Sequence, residues 1–259
     1  RICTGGEPWT EKPWKWLFQV IGKSKVPIMN SAGGTEVSGS ILHCCLHRPF
    51  KVGSFNAPIP GMSADILNLD GKKVSTNEMG ELVMRKSSIG LTKSLWNDDK
   101  RYIDNYWSVI KDYWVHGDLA SRDADGHWYL HGRSDDTIKV SGKRIGPSEL
   151  ESVIVKSGKA KEVAAVGIPD ANKGSKIILS IVPAENNDQK ESFFEDLVIK
   201  DLGKSFKPDK VIFVKDLPKT RNMKIMRRVI KSCLANQDPG DLSTLLNPES
   251  IEEIRSHAI

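Results

Sequence analysis

The chain has 259 residues, of which 39% are hydrophobic and 27% are charged, and its formal net charge is +5. This is the composition of an ordinary globular protein, and the length exceeds the usual size of one hydrophobic core, so two packed units are expected. The longest apolar stretch, 163–168, has six residues, whereas a membrane-spanning helix needs about 20. The composition therefore excludes membrane-spanning, collagen-like, coiled-coil and disordered classes.

The four cysteines, at positions 3, 44, 45 and 233, have neither CxxC spacing nor a metal-ligand spacing with histidine. Such sparse cysteine predicts free thiols in a reducing compartment, so a cytoplasmic location is expected. No N-terminal signal pattern is visible, and the chain opens at Arg1 rather than at methionine. We therefore expect it to be a piece of a longer protein.

The first half of the chain predicts one helix followed by short strands and turns. Aromatic and apolar residues at mixed helical spacing predict a helix over 7–22, and a short strand over 25–29 leads into a glycine-containing loop over 30–36. The region 53–84 alternates apolar runs with proline and glycine, which predicts a small antiparallel sheet or barrel. Two further strands are expected on either side of the turn 123–126.

The pattern changes after residue 134, where strands and helices interleave as in a compact α+β domain. A hairpin is expected over 138–145, followed by a helix that starts at 146–148, with Ser148 and Glu151 as a capping box. The other expected elements are buried strands over 163–168 and 177–182, a helix over 191–206, a strand over 210–214 and a helix over 224–234.

Positive charge is concentrated in the segment 203–231, which has ten lysine and arginine residues and only two acidic ones. This density is typical of a surface that meets nucleic acid, lipid headgroups or a polyphosphate ligand, or of a solvated helix face. The segment has only two aromatic residues, Phe206 and Phe213, whereas platforms for single-stranded nucleic acid interleave aromatic side chains with cations. We therefore expect neither a nucleic-acid nor a membrane partner.

Two short motifs have side chains suited to nucleotide chemistry. In Gly33-Gly34-Thr35-Glu36, the glycines let a ligand approach the backbone, the hydroxyl can bond a phosphate oxygen and the carboxylate can bind Mg²⁺. Asp118 follows Gly117 after an aromatic, apolar run, and a carboxylate there can accept both hydroxyls of a ribose. Taken alone, each motif is also typical of an ordinary turn or cap.

Six motifs follow one another along the chain. They are Gly6-Glu7-Pro8, Gly33-Gly34-Thr35-Glu36, Trp114-Val115-His116-Gly117-Asp118, Gly132-Arg133-Ser134-Asp135-Asp136, Pro218-Lys219-Thr220-Arg221 and Lys224-Ile225-Met226-Arg227-Arg228. In this order they resemble the adenylate-forming acyl-CoA synthetases, closest to the acetyl-CoA synthetase branch, and the tail 240–254 resembles that branch too. The resemblance implies a fold of class α/β and α+β. It places the C-terminal part of a large AMP-binding domain over 1–134, including a small β-barrel or sheet subdomain, and a small mobile α+β domain over 135–259.

The family resemblance implies an enzyme that uses ATP, Mg²⁺ and coenzyme A. Members of the family convert a carboxylic acid and Mg-ATP to an acyl-adenylate and pyrophosphate, and coenzyme A then displaces AMP to give acyl-CoA. Because a carboxylate is a poor electrophile and AMP a good leaving group, the protein mainly positions groups and offsets negative charge. The alternative is a non-catalytic relic or a nucleic-acid-binding module that uses the segment 203–231.

Nucleoside contacts are implied at both ends of the first region. Gly6, Glu7 and Pro8 match the loop on the adenine side of the family's nucleotide site. Asp118 matches the ribose-binding aspartate, and Arg133 lies beside it in that site.

The resemblance implies catalytic roles for Thr35, Glu36 and Lys224. Thr35 matches a hydroxyl that contacts phosphate, Glu36 matches the Mg²⁺ carboxylate, and Lys224 matches the lysine that bridges the substrate carboxylate and the α-phosphate. Arg144 matches a phosphate-contacting arginine. Two departures stand out: Met223 replaces the glycine that usually precedes the lysine, and the family's Gly- and Thr-rich phosphate loop is absent from these residues, so we expect it upstream.

Asp135 matches the hinge about which the small domain swings between the half-reactions, and Gly142 matches the hairpin that lines the pantetheine tunnel. Ala32, Gly33 and Gly34 match the acyl pocket. In acetate-activating members a tryptophan occupies the position of Gly33, so its absence predicts an acid longer than acetate and predicts that Gly33→Trp restores a preference for acetate.

Overall fold

A computed structural model describes residues 1–6, 8–9, 11–185 and 188–259 of the chain. The chain divides into two units, Arg1–Ser134 and Asp135–Ile259, and each has hydrophobic core clusters of its own. In the described part of the chain, no helix has both the length and the apolarity that a membrane span requires.

The first unit contains two four-stranded sheets. Its described strands are β1 (Ile2–Gly5), β2 (Ile28–Gly34), β3 (Gly39–His43), β4 (Ala57–Pro58), β5 (Ala64–Leu67), β6 (Gly80–Met84), β7 (Trp114–Arg122) and β8 (Trp128–Arg133). One sheet has the order β1-β2-β3-β4, in which β1 and β2 are parallel. The other is antiparallel throughout, in the order β5-β6-β7-β8. Within the described residues this second sheet is open, so the region 53–84 contributes to a sheet and not to a closed barrel.

Two short helices pack on the first unit, α1 (Glu11–Trp16) and α2 (Asp99–Tyr102), and each continues into a π-helical turn. The helix α2 begins where the carboxylate of Asp98 accepts a hydrogen bond from the backbone N–H of Arg101 at 3.1 Å, which satisfies a donor that the first helical turn leaves free. The core under these elements includes Ile41, Leu42, Leu82, Met84 and Trp114, all at most 1% exposed.

The second unit is one three-stranded sheet with helices on both faces and a separate hairpin. Its described elements are β9 (Ile138–Val140), β10 (Lys143–Ile145), α3 (Pro147–Lys156), β11 (Ala160–Asp170), β12 (Gly174–Pro183), α4 (Glu191–Leu202), β13 (Lys210–Phe213), α5 (Arg227–Leu234) and α6 (Glu249–Arg255). The sheet has the order β11-β12-β13, with β11 and β12 antiparallel and β12 and β13 parallel.

Side chains of this sheet alternate between two cores, because successive residues of a strand point to opposite faces. On β11, Val163 and Ala165 pack with α3 and α4, whereas Ala164 and Val166 pack with α5 and α6. Both faces are therefore buried, which explains why β11 and β12 are continuous apolar runs in the sequence rather than alternating ones.

The structure moves several expected boundaries. The strand expected over 25–29 begins at Ile28 and continues to Gly34, so most of the expected loop 30–36 is strand. The expected helix over 7–22 is observed over 11–21, as α1 and its π-helical turn, within the described residues. The expected helix over 191–206 ends at Leu202 and is followed by a 3₁₀ turn.

The capping box expected at the start of α3 is wrong. The N-cap is Gly146, whose backbone N–H donates to Oε1 of Glu149 at 3.2 Å. Glu151 is instead buried and binds Arg227 on α5. A buried carboxylate needs charged or hydrogen-bonding partners, and the sequence does not indicate that Arg227, 76 positions away, is one of them.

Candidate active site

The carboxyl ends of β1 and β2 form one edge of the first sheet, since the two strands are parallel and Gly5 pairs with Ser31. Ligands of α/β proteins bind outside the carboxyl ends of such strands. Gly6 leaves β1 with a φ of +107°, a conformation that favours glycine, and both Gly6 and Pro8 are exposed. Glu7, the third residue of the expected adenine-side loop, lies outside the described residues.

Gly33 lies in an irregularity of the β2–β3 pairing, which begins between Ala32 and Gly33. A Cβ atom at Gly33 would lie 2.1 Å from the carbonyl oxygen of Gly39 and 2.6 Å from Cα of Ser40. The side-chain direction of Gly33 is thus filled by the backbone of β3 and not by open pocket. The expectation that Gly33→Trp simply narrows an acyl pocket therefore lacks a geometric basis, because any side chain there displaces β3.

Gly33→Ala is expected to destabilise the first unit, by about 1–3 kcal/mol, since overpacking against fixed backbone forces strands apart. Gly39→Ala is the matched control, because nothing lies within 4 Å of a Cβ atom there, and its effect is expected to stay within about 0.5 kcal/mol. All seven tryptophans belong to residues 1–134, so urea unfolding followed by tryptophan fluorescence reports this unit alone. Equal destabilisation by the two variants would contradict the assignment.

Thr35 and Glu36 begin a 3₁₀ turn, Thr35–Val37, directly after β2. Thr35 is exposed, Val37 is buried, and the backbone carbonyl of Glu36 accepts the N–H of Thr92 at 2.7 Å. The buried side chain of Val37 and the backbone bond to Thr92 therefore anchor the turn, while the hydroxyl of Thr35 stays at the surface. This placement suits a hydroxyl that contacts a ligand.

Tyr106 fixes the carboxylate of Glu36, since its hydroxyl donates to Oε1 at 3.0 Å. The Tyr106 ring stacks on Trp114 with ring centroids 5.2 Å apart and an angle of 5° between the rings. Burial and the bond to Glu36 raise the pKa of Tyr106 above its ordinary value, so the phenol is a proton donor at neutral pH. The two partners are 70 positions apart in the chain, so the sequence does not indicate this contact.

His116 connects the turn of Glu36 with Asp118 on β7. Its Nε2 lies 3.3 Å from Oδ2 of Asp118, and its Cε1 lies 3.3 Å from the position a Cβ atom would take at Gly34. Burial lowers the pKa of His116 and outweighs the opposite effect of Asp118, so the imidazole is neutral at physiological pH. The Nδ1 atom is buried and has no hydrogen-bond partner among the described residues.

Arg133, on β8, lies across from Asp118 in the β7–β8 pairing. Its Nη1 donates to the backbone carbonyl of His116 at 3.0 Å and lies 3.6 Å from Oδ1 of Asp118. Gly117 has a φ of +82°, and a Cβ atom there would lie 2.7 Å from Nη2 of Arg133. The backbone conformation therefore favours glycine at 117, and a side chain there would displace the guanidinium of Arg133.

Asp135 is the exposed first residue of the second unit, and it precedes the β9–β10 hairpin. The hairpin turns at Ser141 and Gly142, which have φ values of +49° and +80° and match the expected turn position. Nothing lies within 4 Å of a Cβ atom at Gly142, and Arg144 is exposed opposite Lys139. In the second unit, the hairpin tip and Arg144 are thus presented at the surface.

Lys224 lies in a tight turn ahead of α5, not on the helix that the sequence predicts from residue 224. The carbonyl of Lys224 accepts the N–H of Thr220 at 2.9 Å, and its own N–H donates to Oγ1 of Thr220 at 3.2 Å. Met223 has a φ of +63°, the region that favours glycine, so methionine there carries backbone strain. The side chain of Lys224 is exposed at the end of this turn.

Half of the cations in the segment 203–231 have structural partners within the second unit. Lys207 pairs with Glu195, Lys219 with Asp216 and Glu162, and Arg227 with Glu151; Lys210 donates to the carbonyl of His257, and Arg228 to those of Pro239 and Asp241. Three of these cations therefore meet acidic side chains within the unit, and two donate to backbone carbonyls.

Comparison with known proteins gives matches along both units. The AMP-binding enzyme family matches residues 1–96, and the family described as AMP-binding enzyme C-terminal domain matches residues 149–224. The acetyl-coenzyme A synthetase of Methanothrix thermoacetophila is 37% identical over 98% of this chain and 40% of its own length. That of Helicobacter pylori strain P12 is 38% identical, with the same two coverages. The chain thus spans about 40% of the length of these relatives.

Among solved structures, the acetoacetyl-CoA synthetase from Streptomyces lividans matches 98% of this chain with a TM-score of 0.84 and 22% identity, again over 40% of that protein. This similarity shows that the fold is shared. Because the two family matches follow in chain order and the relatives align over nearly all 259 residues, the chain belongs to the family of AMP-binding enzymes, and the relatives that it matches include acetyl-coenzyme A synthetases.

Proposed function

We propose that the protein carrying this chain activates a carboxylic acid with ATP to an acyl-adenylate and transfers the acyl group to coenzyme A. The proposal rests mainly on the cluster around His116, which joins the turn of Glu36 to Asp118 and Arg133 across more than 80 residues of sequence. These are the groups that the family resemblance assigns to phosphate, metal and ribose. The acetyl-coenzyme A synthetases among the relatives support the same reaction.

In the first half-reaction, a carboxylate oxygen of the acid attacks the α-phosphorus and the bond to pyrophosphate breaks. Two anions must approach each other, so the exposed ammonium of Lys224 acts by bridging the carboxylate and the α-phosphate. The hydroxyl of Thr35 donates to a phosphate oxygen, and Asp118 accepts the ribose hydroxyls. Gly6 and Pro8 contact the adenine side, as we propose for Glu7.

Glu36 would hold Mg²⁺, which offsets the negative charge of the phosphates when it is bound. Mg²⁺ takes one or two protein carboxylates and completes its octahedron with phosphate oxygens and water. A single carboxylate suits that chemistry, and no group of three metal-ligating side chains is found among the described residues. A Cβ atom at Gly34 would lie 2.6 Å from Oε2 of Glu36. Glycine at 34 therefore keeps the approach to that oxygen open.

In the second half-reaction, the thiolate of coenzyme A attacks the acyl carbonyl and AMP leaves. We propose that residues 1–134 are the C-terminal part of the large AMP-binding domain and that 135–259 are the small domain, which swings about Asp135 between the two steps. Gly142, at the open tip of the β9–β10 hairpin, then lines the pantetheine path. Arg144 contacts phosphate.

We propose an acid longer than acetate. The support is that residues 32–34 have no side chain larger than the methyl group of Ala32. The added room must lie elsewhere in the pocket than at Gly33, whose side-chain direction is filled by the backbone of β3. Each methylene buried in such a space is worth about 0.8 kcal/mol, so kcat/KM is expected to rise roughly three- to fourfold per added carbon until the pocket is filled.

The proposal is tested by acid-dependent exchange of labelled pyrophosphate into ATP, with acetate, propionate, butyrate and hexanoate, in the protein expressed from its whole gene. Exchange is expected, and acetate is expected not to be the best acid. The 259 residues alone are expected not to exchange, because they lack the phosphate loop and one positioned donor alone is worth about 3 kcal/mol of barrier. A folded whole protein that exchanges with no acid but binds generic DNA in a salt-dependent way would favour the nucleic-acid alternative.

A further inference from the structure

The turn that presents Lys224 is tied to the second unit by a buried lysine five residues earlier. Lys219 is 6% exposed, and its Nζ lies 2.6 Å from Oδ1 of Asp216 and 2.6 Å from Oε2 of Glu162 on β11. Burial disfavours the charge of Lys219, but the bonds to the two carboxylates prevail and raise its pKa. Lys219 is therefore a buried cation held by two carboxylates.

Asn247 closes the same network from the C-terminal tail. Its Nδ2 donates to Oδ2 of Asp216 at 2.8 Å and to the carbonyl of Leu217 at 2.8 Å. Its Oδ1 accepts the backbone N–H of Lys219 at 3.0 Å. One buried amide thus binds both the carboxylate that holds Lys219 and the backbone on each side of Pro218.

The tail also runs alongside the turn as a strap, defined here as residues 242–247. The N–H of Leu246 donates to the carbonyl of Lys219 at 2.8 Å, and the N–H of Arg221 donates to the carbonyl of Thr244 at 3.2 Å. Thr220 and Leu245 form an antiparallel bridge between these two bonds. The strap therefore pairs with residues 219–221 like a short strand.

The far side of the turn has an anchor of its own. Arg227 binds Glu151 with Nε to Oε1 at 2.9 Å and Nη2 to Oε2 at 2.8 Å, and the same carboxylate accepts the N–H of Ala165 at 2.9 Å. A bidentate pair of this kind fixes direction as well as distance. Residues 220–226 are consequently held at both ends, and Lys224 itself makes no ion pair within the described part of the chain.

Stability alone is a weak reason for the network around Lys219. A buried ion pair can often be replaced by apolar side chains of similar volume without loss of stability, whereas its directional bonds specify one geometry. Each hydrogen bond and ion pair of this network involves Asp216, Leu217 or Lys219, which lie just before the turn of Lys224. Its geometry thus determines where that turn stands.

We infer that Lys219, Asp216 and Asn247 form a clamp that positions the turn of Lys224 for acyl-adenylate formation, so that Lys219 and Asn247 are positioning residues of that half-reaction. The inference rests on the proposed function. It also gives the C-terminal strap an indirect part in the chemistry, through the position of the turn of Lys224.

The test compares Lys219→Met and Asn247→Ala with Lys207→Met, whose surface ion pair with Glu195 lies elsewhere on the unit. Both clamp variants are expected to lower kcat of acid-dependent pyrophosphate exchange by about a hundredfold, since a misplacement of about 1 Å can cost that much. Formation of acyl-CoA from pre-made acyl-adenylate is expected to stay within about twofold, because Lys224 takes no part in it. Lys207→Met should leave both half-reactions unchanged. Unchanged exchange, or equal loss of both half-reactions, overturns the inference.

A second measurement does not depend on activity. Limited trypsin digestion of the protein expressed from its whole gene is expected to cleave after Arg221 and Lys224 several times faster in Asn247→Ala than in the original protein, with cleavage elsewhere unchanged. Asn247→Ala keeps the charges of Lys219 and its partners balanced, so it guards against a Lys219→Met variant that fails to fold. If no acid supports exchange in the whole protein, the proposed function fails, but the digestion still tests the clamp. Unchanged cleavage refutes the clamp, and faster cleavage after Arg221 and Lys224 supports it.

Discussion

Lys224→Ala is expected to abolish acyl-adenylate formation, lowering acid-dependent pyrophosphate exchange by at least about 10²–10³-fold, the loss that follows removal of one positioned donor. The physical reason is the meeting of two anions, the substrate carboxylate and the α-phosphate, whose repulsion the proposed bridging ammonium of Lys224 offsets. Transfer of a pre-made acyl-adenylate to coenzyme A is expected to persist, since no carboxylate attacks phosphorus in that step.

Both half-reactions can be measured on one preparation of the protein from its whole gene. Pyrophosphate exchange reports the first, and release of AMP from synthetic acyl-adenylate and coenzyme A reports the second. Lys200→Ala is the matched control, an exposed lysine in the last turn of α4, and it should change neither. If Lys224→Ala lost both activities equally, the division of labour between the two steps would be refuted.

The sequence predicts best those elements whose pattern is local. The apolar runs 163–168 and 177–182 lie within β11 and β12, and the glycine-containing turn at 141–142 joins β9 and β10. Each depends on neighbours within a few residues, through side-chain alternation, apolar burial or a backbone conformation that favours glycine. The two-sided burial of β11 is visible in its unbroken apolar run.

What the sequence misses depends on distant partners. Most of the expected loop 30–36 is strand because β1 and β3 pair with it from both sides, and Gly33 is glycine because β3 fills its side-chain space. The same holds for the site, where Tyr106 reaches Glu36 across 70 residues. The spacing of Glu151 from Ser148 is that of a capping residue, but in the structure its carboxylate binds Arg227.

The candidate residues were found through ordered motifs, and the structure adds what connects them. Asp118 and Arg133 are paired across β7 and β8, and His116 joins them to the turn of Glu36. No spacing in the sequence indicates that His116 is buried, because its partners come from β2, β7 and β8. The order of the motifs therefore predicts which residues belong to the site, whereas side-chain burial and strand pairing determine its geometry.

Asp135→Pro is expected to spare acyl-adenylate formation and to impair acyl-CoA formation, whereas Lys224→Ala does the reverse. Proline fixes φ near −65° and disfavours the helical region for the preceding residue, Ser134. Ser134 is itself tied to the first unit, since its N–H donates to the carbonyl of Gly117 at 2.9 Å and its hydroxyl bonds to Glu81. These bonds hold Ser134 within the first unit, so the proposed hinge is expected after it, at Asp135.

If proline holds the small domain in the orientation for adenylation, pyrophosphate exchange continues while acyl-CoA formation falls by about 10²-fold or more, the loss expected when groups are misplaced by about 1 Å. Asp135→Ala is the matched control, since it removes the same carboxylate but leaves φ free to change, and it should retain both activities. Comparing the two variants distinguishes the effect of a fixed φ at residue 135 from the effect of losing its carboxylate. Undiminished overall turnover by the proline variant would mean that the domain movement takes place at another residue, because a fixed φ at a hinge cannot be silent.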